Sequence, residues 1–384
     1  MSRPDANTSV PASDRDWRQM FPITGDWVYL DHASSGPLPT CNVVARSRMS
    51  SQMADRPLGE IGVDKVIEDL RAAAASLTRC EPDQVAFLKC TSEGVDLAPD
   101  GLDWRPGDEV ILYDADFVGV LAPWLELARR QSVVLRFIAD AGRHRFDISD
   151  VEALLSPRTR LICVSLVNAA NGFRAPVAEI AQLARAHGAW FVVDACQGLG
   201  TEPLDVGALG ADIVAAHGYK FLLSGFGVAI TCLSERALNE LSHPQLGWKN
   251  APNGASAGVP VNTAGARRFE SSTLSMAGMA GMRESIRLLE DVGLEAIRTQ
   301  ISRLVSRLAE GAAEKGYIVR SSRRLGETSA ILSLQPARRD PAEVQQTLQR
   351  ARVMCAVRDG ALRVAPHFYN TVGDIDHFLE VLPT

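Results

Sequence analysis

Between residues 80 and 232 the chain sets seven short apolar runs among stretches of helical pattern, and this alternation limits the fold more than any other feature. The runs are 84–88, 109–113, 133–138, 160–167, 190–194, 213–216 and 228–233. Most lack a polar residue at every second position, as in Trp-Phe-Val-Val-Asp at 190–194. A strand with one wet face alternates in polarity; a strand covered on both faces does not. Helical segments at 119–131, 149–155 and 176–187 separate several of the runs. The pattern predicts an α/β domain with a mostly parallel sheet. Ligands in such folds bind beyond the carboxyl ends of the strands, and Asp194 stands at one such end.

A chain of 384 residues has room for one large domain and a smaller one. Residues 249–266 are rich in Gly, Ala, Ser and Pro and read as a long loop or domain boundary. Beyond them come two helical stretches over 275–316, strand candidates at 330–334 and 361–365, and helices near 340–351 and 373–382. The expected organisation is a lead-in over 1–26, a large α/β domain over 27–265 and a small α+β domain over 266–384. A formal net charge of −6 argues against nucleic acid as a partner. No apolar stretch approaches a membrane span, and the N-terminus lacks the apolar core of a signal peptide, so it reads as disordered or loosely docked. The cysteines at 41, 80, 90, 163, 196, 232 and 355 show neither C-x-x-C nor metal-ligand spacing. They fit reduced thiols in a cytoplasm, with Cys163 and Cys232 in the core.

Lysine is scarce, at positions 65, 89, 220, 249 and 315 only. Lys220 closes the run Ala-Asp-Ile-Val-Ala-Ala-His-Gly-Tyr-Lys and lies 26 positions after Asp194. A lysine beside a histidine, downstream of a strand that ends in Asp and is followed by Gln197, has the layout of a pyridoxal-phosphate site. The lysine would bind the cofactor as a Schiff base and the carboxylate would hold its pyridinium. Cys-Thr-Ser-Glu-Gly at 90–94 follows a strand and opens a helix. Thr91 and Ser92 then stand where free N–H groups and the helix dipole favour a phosphate; the simpler reading of the pair is an N-cap.

With these motifs in order, the chain resembles the class V aminotransferase family of fold-type I pyridoxal-phosphate enzymes, which includes cysteine desulfurases, kynureninase and isopenicillin N epimerase. The resemblance runs over roughly 27–382. It rests on Val-Tyr-Leu-Asp-His-Ala-Ser-Ser-Gly-Pro-Leu-Pro (28–39), Leu-Asp-Trp-Arg-Pro-Gly-Asp-Glu-Val (102–110), Asn-Gly-Phe-Arg (171–174), Asp-Ala-Cys-Gln (194–197), His-Gly-Tyr-Lys (217–220) and Leu-Arg-Val-Ala-Pro-His-Phe-Tyr-Asn-Thr (362–371). The resemblance implies that Lys220 binds the cofactor and moves the Cα proton, and that Asp194 pairs with the pyridine nitrogen. It implies that Gln197 bonds the ring oxygen, and that His217 joins Thr91 and Ser92 at the phosphate, with Tyr219 beside it. Phe117 would stack on the ring, where desulfurases place histidine. Arg363 would take the substrate carboxylate, with His32 and Ser34 bordering the substrate. Thr273, in Arg-Phe-Glu-Ser-Ser-Thr (268–273), would reach the phosphate of a second subunit, which implies a homodimer with shared sites.

Four departures from the family pattern bear on the chemistry. Cys355 lies only eight residues before Arg363, in Val-Met-Cys-Ala-Val, and reads as packed rather than mobile, which disfavours persulfide formation. Residue 169 is alanine where relatives carry a polar partner for the ring oxygen, leaving Asn168 or Asn171 for that role. Pro99 implies a short or kinked helix after the phosphate motif. Val118-Gly119-Val120 makes the pocket more apolar near the stacking position. The expected reaction is β-elimination from a cysteine S-conjugate, a C–S lyase, possessing an amino-acid substrate. Transamination, epimerisation or decarboxylation at Cα are the alternatives, and a non-catalytic binding protein on this fold is the remote one.

Overall fold

The computed structural model describes residues 16–242, 245–250 and 264–384. Its strands are β1 (Val28–Tyr29), β2 (Val85–Leu88), β3 (Glu109–Tyr113), β4 (Val134–Ile138), β5 (Thr159–Ser165), β6 (Trp190–Asp194), β7 (Ile213–His217), β8 (Ala229–Leu233), β9 (Ile318–Val319), β10 (Leu332–Gln335), β11 (Val353–Met354), β12 (Ala356–Arg358) and β13 (Ala361–Val364). Its helices are α1 (Thr40–Asp55), α2 (Leu58–Ile61), α3 (Val63–Thr78), α4 (Thr91–Gly101), α5 (Val118–Gln131), α6 (Ile148–Glu152), α7 (Val177–Ala186), α8 (Val206–Leu209), α9 (Glu235–Glu240), α10 (Met276–Val292), α11 (Leu294–Glu314), α12 (Pro341–Arg350) and α13 (Val372–Val381).

Seven strands form the central sheet in the order β2-β8-β7-β6-β5-β3-β4. Neighbours from β4 through β7 pair in parallel, while β8 runs antiparallel to both β7 and β2. β2, β3, β6, β7 and β8 are buried at every position, as the uninterrupted apolar runs require. β4 stands at the sheet edge and is mostly exposed. The run expected over 160–167 stops as a strand at Ser165, because Val167 turns away to bridge Arg174. α4 carries Pro99 in its last turn and ends two residues later at Gly101.

The C-terminal part holds a four-stranded antiparallel sheet, β12-β13-β10-β9, packed on α11. The run Val-Met-Cys-Ala-Val at 353–357 is split at Cys355: β11 pairs in parallel with β1, and β12 joins β13. Residues 28–29 are thereby tied to the C-terminal part. α10 lies against α1 and α3, so the expected division at 265/266 falls just before a helix that packs on N-terminal helices.

Of the lead-in, residues 1–15, which hold the stretch expected to be loose, lie outside the described residues, and 16–26 are docked on the fold. Phe21 is buried and stacked on Tyr369 with ring centroids 3.8 Å apart. Arg18 grips Asp374 at 2.7 Å. Most of the Gly/Ala-rich 249–266 segment also lies outside the described residues. Among the described residues no helix is long and apolar enough to cross a membrane.

Candidate active site

β6 and β7 are parallel neighbours, with Asp194 in register with Ala215. Asp194 therefore ends β6 close to where β7 ends at His217, and the turn after β7 brings Lys220 back over the same sheet end. That turn is held by the loop after β1. The Gly36 N–H donates to the Tyr219 carbonyl at 2.7 Å. Only glycine allows this approach, since a Cβ at position 36 would lie 2.3 Å from the Lys220 carbonyl oxygen. The Lys220 side chain is 7% exposed, and its Nζ lies 5.7 Å from the Phe117 ring centroid and 5.5 Å from that of Tyr219. It reaches a cavity of about 410 Å³ lined by Ser34, Phe117, Asn168, Gln197, Tyr219 and Arg363 among others.

Two carboxylates, Asp194 buried and Asp116 half-buried, shape the field behind the lysine. Burial pushes Asp194 up to about 6, the Asp116 charge adds to this, and the Cys196 N–H and Lys220 oppose it. Asp116 is itself pushed up by burial. It accepts from the Ser165 N–H (2.8 Å), the Ser165 hydroxyl (2.5 Å) and the Phe117 N–H (2.7 Å). Asp116 thus fixes the backbone that carries Phe117 into the cavity. His217 is pushed down to about 4 by burial and by Lys220, so it is neutral at pH 7.

Arg363 comes from β13 and is almost fully buried. Its Nη1 donates to the Ala169 carbonyl at 2.7 Å and its Nη2 to the Ser34 hydroxyl at 2.6 Å, with Asp31 at 3.5 Å. A guanidinium held this way offers a planar fork to a carboxylate.

The polar atoms at the site fit pyridoxal phosphate. Most buried polar atoms in proteins have partners, yet Thr91 Oγ1, Gln197 Oε1 and Arg363 Nε are buried without one. Cys90, the N-cap of α4, provides no side-chain cap, so the first N–H groups of that helix are available to an anion. Thr91, Ser92 and His217 would hold the phosphate, Asp194 the pyridine nitrogen, Gln197 the ring oxygen, and Phe117 one ring face. Gly119 leaves room for the Phe117 ring, because a Cβ there would lie 2.9 Å from it.

The structure moves two sequence-based assignments. His32 is fully buried and does not border the cavity. Its Nδ1 bonds the Ala365 carbonyl at 2.8 Å and its Nε2 the Tyr369 hydroxyl at 2.8 Å, so it braces the loop whose next residues, Ala33 and Ser34, line the cavity. Asn171 spends its side chain within its own turn, accepting from the Phe173 N–H at 2.8 Å, and does not line the cavity. Asn168 does, but its amide already bonds the Ala115 carbonyl and the Ala170 N–H. Thr273 is exposed and lies outside the cavity lining. The sequence reading overlooked Asp116, Arg358 and Asp359. The last two line the cavity mouth from the tight hairpin between β12 and β13, whose turn residues Asp359 and Gly360 both have positive φ. The Asp-Gly pair was a readable hairpin signal; that its tip meets the cavity was not.

Sheet and cavity together define a pyridoxal-phosphate enzyme of the α/β type. The sequence profile described as aminotransferase class-V matches residues 28–378. A probable cysteine desulfurase from Pyrococcus abyssi is 26% identical over 388 residues, covering 96% of each chain. The apo structure of a cysteine desulfurase from Thermococcus onnurineus NA1 superposes with a TM-score of 0.89 at 25% identity, covering 98% of each chain. A complex of the cystine C-S lyase C-DES with its reaction product cysteine persulfide superposes with a TM-score of 0.88 at 25% identity, covering 94% of this chain and 98% of that one. The chain belongs to the class V aminotransferase family and is similar to its cysteine desulfurases.

Proposed function

We propose that this enzyme is a C–S lyase that carries out β-elimination on cysteine-type amino acids. One observation carries the choice. Among the described residues no cysteine lines the cavity that holds Lys220 and the Arg363 fork. The thiol of Cys196, near enough to Lys220 and Asp194 to feel their charges, is buried and pushed up by burial, so it is not placed to receive sulfur. Cys355 is 1% exposed and burial pushes its thiol up to about 12, which makes it a packing residue. The likeness to a cystine C-S lyase supports the same reading.

Bound pyridoxal phosphate supplies the electron sink for the bond broken at Cα. Arg363 and Ser34 would anchor the substrate carboxylate at the wall of the cavity that Lys220 reaches. Lys220 takes the Cα proton. The Cβ–S bond then breaks, and the thiolate leaves and takes up a proton. Water converts the remaining enamine to an α-keto acid and ammonia. Phe117 offers a face for stacking but no proton, so proton transfer falls to Lys220.

The homodimer belongs to this proposal. Thr273 is exposed, as a contact to a second subunit requires, and Phe226, stacked on Tyr219 at 4.6 Å, is 70% exposed. A reducing, cytoplasmic setting agrees with free cysteines at all seven positions.

The test is an absorbance titration of the cofactor-loaded enzyme with S-methyl-L-cysteine, L-cystine and L-alanine, with keto acid and ammonia followed in parallel. Keto acid from either sulfur substrate, with the starting spectrum restored, supports the lyase. Conversion of the cofactor to its amine form by L-alanine, without keto acid from the sulfur compounds, makes the enzyme an aminotransferase instead. Lys220→Ala should remove the absorbance of the lysine-bound cofactor; an unchanged spectrum overturns the site.

A further inference from the structure

A second cavity, of about 370 Å³, opens at the other end of the central sheet, at the amino ends of β6 and β7. Two thiols line it. Cys80 follows the C-terminus of α3, and Cys232 sits on β8, paired with Val85 of β2 on one side and Val214 of β7 on the other. They are 152 residues apart in sequence, yet their sulfurs are 3.7 Å apart. The Thr78 hydroxyl touches the Cys80 sulfur at 2.9 Å. Cys80 is half-buried, while Cys232 is only 3% exposed. Arg185 and Arg236 line the same cavity together with Asp212 and Glu235. None of these residues belongs to the active-site cavity.

We propose that Cys80 and Cys232 form an oxidative modification site, where a low-molecular-weight disulfide is reduced and the thiol pair becomes an intramolecular disulfide. Cys80 acts first because it is the accessible thiol. Its contact with Cys232, and the Thr78 hydroxyl, hold it below the ordinary thiol range, while the same contact and burial push Cys232 up. The Cys80 thiolate attacks one sulfur of the small disulfide, forming a mixed disulfide and expelling one thiolate. Cys232 loses its proton and attacks the Cys80 sulfur, expelling the second thiolate. Two electrons pass from the protein pair to the small disulfide, and the two protons end on the two released thiols. The new bond ties the connection between α3 and β2 to β8, across the edge of the sheet.

The experiment uses the full-length, cofactor-loaded protein exposed to oxidised glutathione, with free thiols counted after denaturation and disulfides mapped by peptide mass spectrometry. The expected result is a fall from seven free thiols to five, with Cys80 linked to Cys232. Cys232→Ser should stop at the mixed disulfide, with one glutathione on Cys80, and Cys80→Ser should take up none at Cys232. Seven thiols persisting in the treated wild type, a bond between any other cysteines, or a Cys232→Ser protein without an adduct at Cys80 overturns the proposal. Should either variant fail to fold, the wild-type map decides alone. The outcome is independent of the reaction at Lys220.

Discussion

Arg363 and Ser34 are 329 residues apart in sequence and joined by a 2.6 Å hydrogen bond at the wall of the active-site cavity. The bond points one arm of the guanidinium while the Ala169 carbonyl fixes the other. Ser34→Ala removes one half-buried hydrogen bond to a charged group, about 1 kcal/mol. KM for the amino-acid substrate should rise about fivefold or more, with kcat nearly unchanged. Arg363→Lys removes the fork itself and should cost roughly 100-fold in kcat/KM. Steady-state kinetics on both variants checks the order; a larger loss in Ser34→Ala than in Arg363→Lys would remove the carboxylate role from Arg363.

Asp194 titrates near 6 in the protein without cofactor, because burial and Asp116 disfavour its charge. A protonated ring nitrogen favours the ionised form. As pH falls through 6 the carboxyl takes up a proton that cofactor binding must expel, so this group weakens affinity by about tenfold per further pH unit. Asp194→Asn should bind more weakly at pH 7 and lack that component between pH 6 and 5. Fluorescence titration of the cofactor at several pH values measures both slopes. Parallel slopes in the two proteins would place the pyridine nitrogen elsewhere.

The central strands were legible in the sequence because burial on both faces leaves an uninterrupted apolar run, as at Trp190–Asp194. α1 was not, since it buries only Asn42 and Met49 and shows no apolar stripe. The site divides in the same way. Asp194 and Lys220 are fixed by neighbouring parallel strands, so their order in the chain indicates their proximity. His32 and Asn171 belong to the right loops but face away, because a loop motif does not say which side chain its backbone turns inward. Arg358 and Asp359 reach the cavity through closure between the two ends of the chain, which no local pattern encodes.

His367 lies 5.2 Å from His32, ring to ring, and both are buried as neutral imidazoles. His367 Nε2 bonds the Phe221 carbonyl at 3.0 Å, while Nδ1 accepts from the Phe368 N–H at 2.8 Å, so a second proton has no acceptor. Burial lowers its pKa from 6.5 to about 4. Between those values the unfolded chain binds a proton that the folded one refuses, so stability falls as pH drops. From pH 7 to pH 5 this histidine accounts for about 2 kcal/mol. The raised carboxylates Asp194 and Asp116 act in the opposite direction, so the informative quantity is the difference between wild type and His367→Gln. That difference in urea-unfolding free energy should shrink by about 2 kcal/mol over this range; a constant difference would mean that His367 titrates normally in the fold.

Gly36 is the point where the substrate-side loop meets the lysine turn. An alanine there would set its Cβ 2.3 Å from the Lys220 carbonyl and 2.8 Å from Leu223 Cδ2, so the loop carrying Ser34 must retreat from the turn carrying Lys220. Overpacking of this kind costs about 1–3 kcal/mol of stability. The effect on catalysis is expected to be greater, since a displacement near 1 Å between reacting groups can cost about 100-fold. Gly36→Ala should therefore keep the absorbance of the lysine-bound cofactor but lose at least tenfold in kcat. Gly59→Ala is the control, because nothing lies within 4 Å of a Cβ at that position. If Gly36→Ala loses stability while kcat matches that of Gly59→Ala, the contact between loop and turn serves folding and not the alignment of Lys220 with the carboxylate fork.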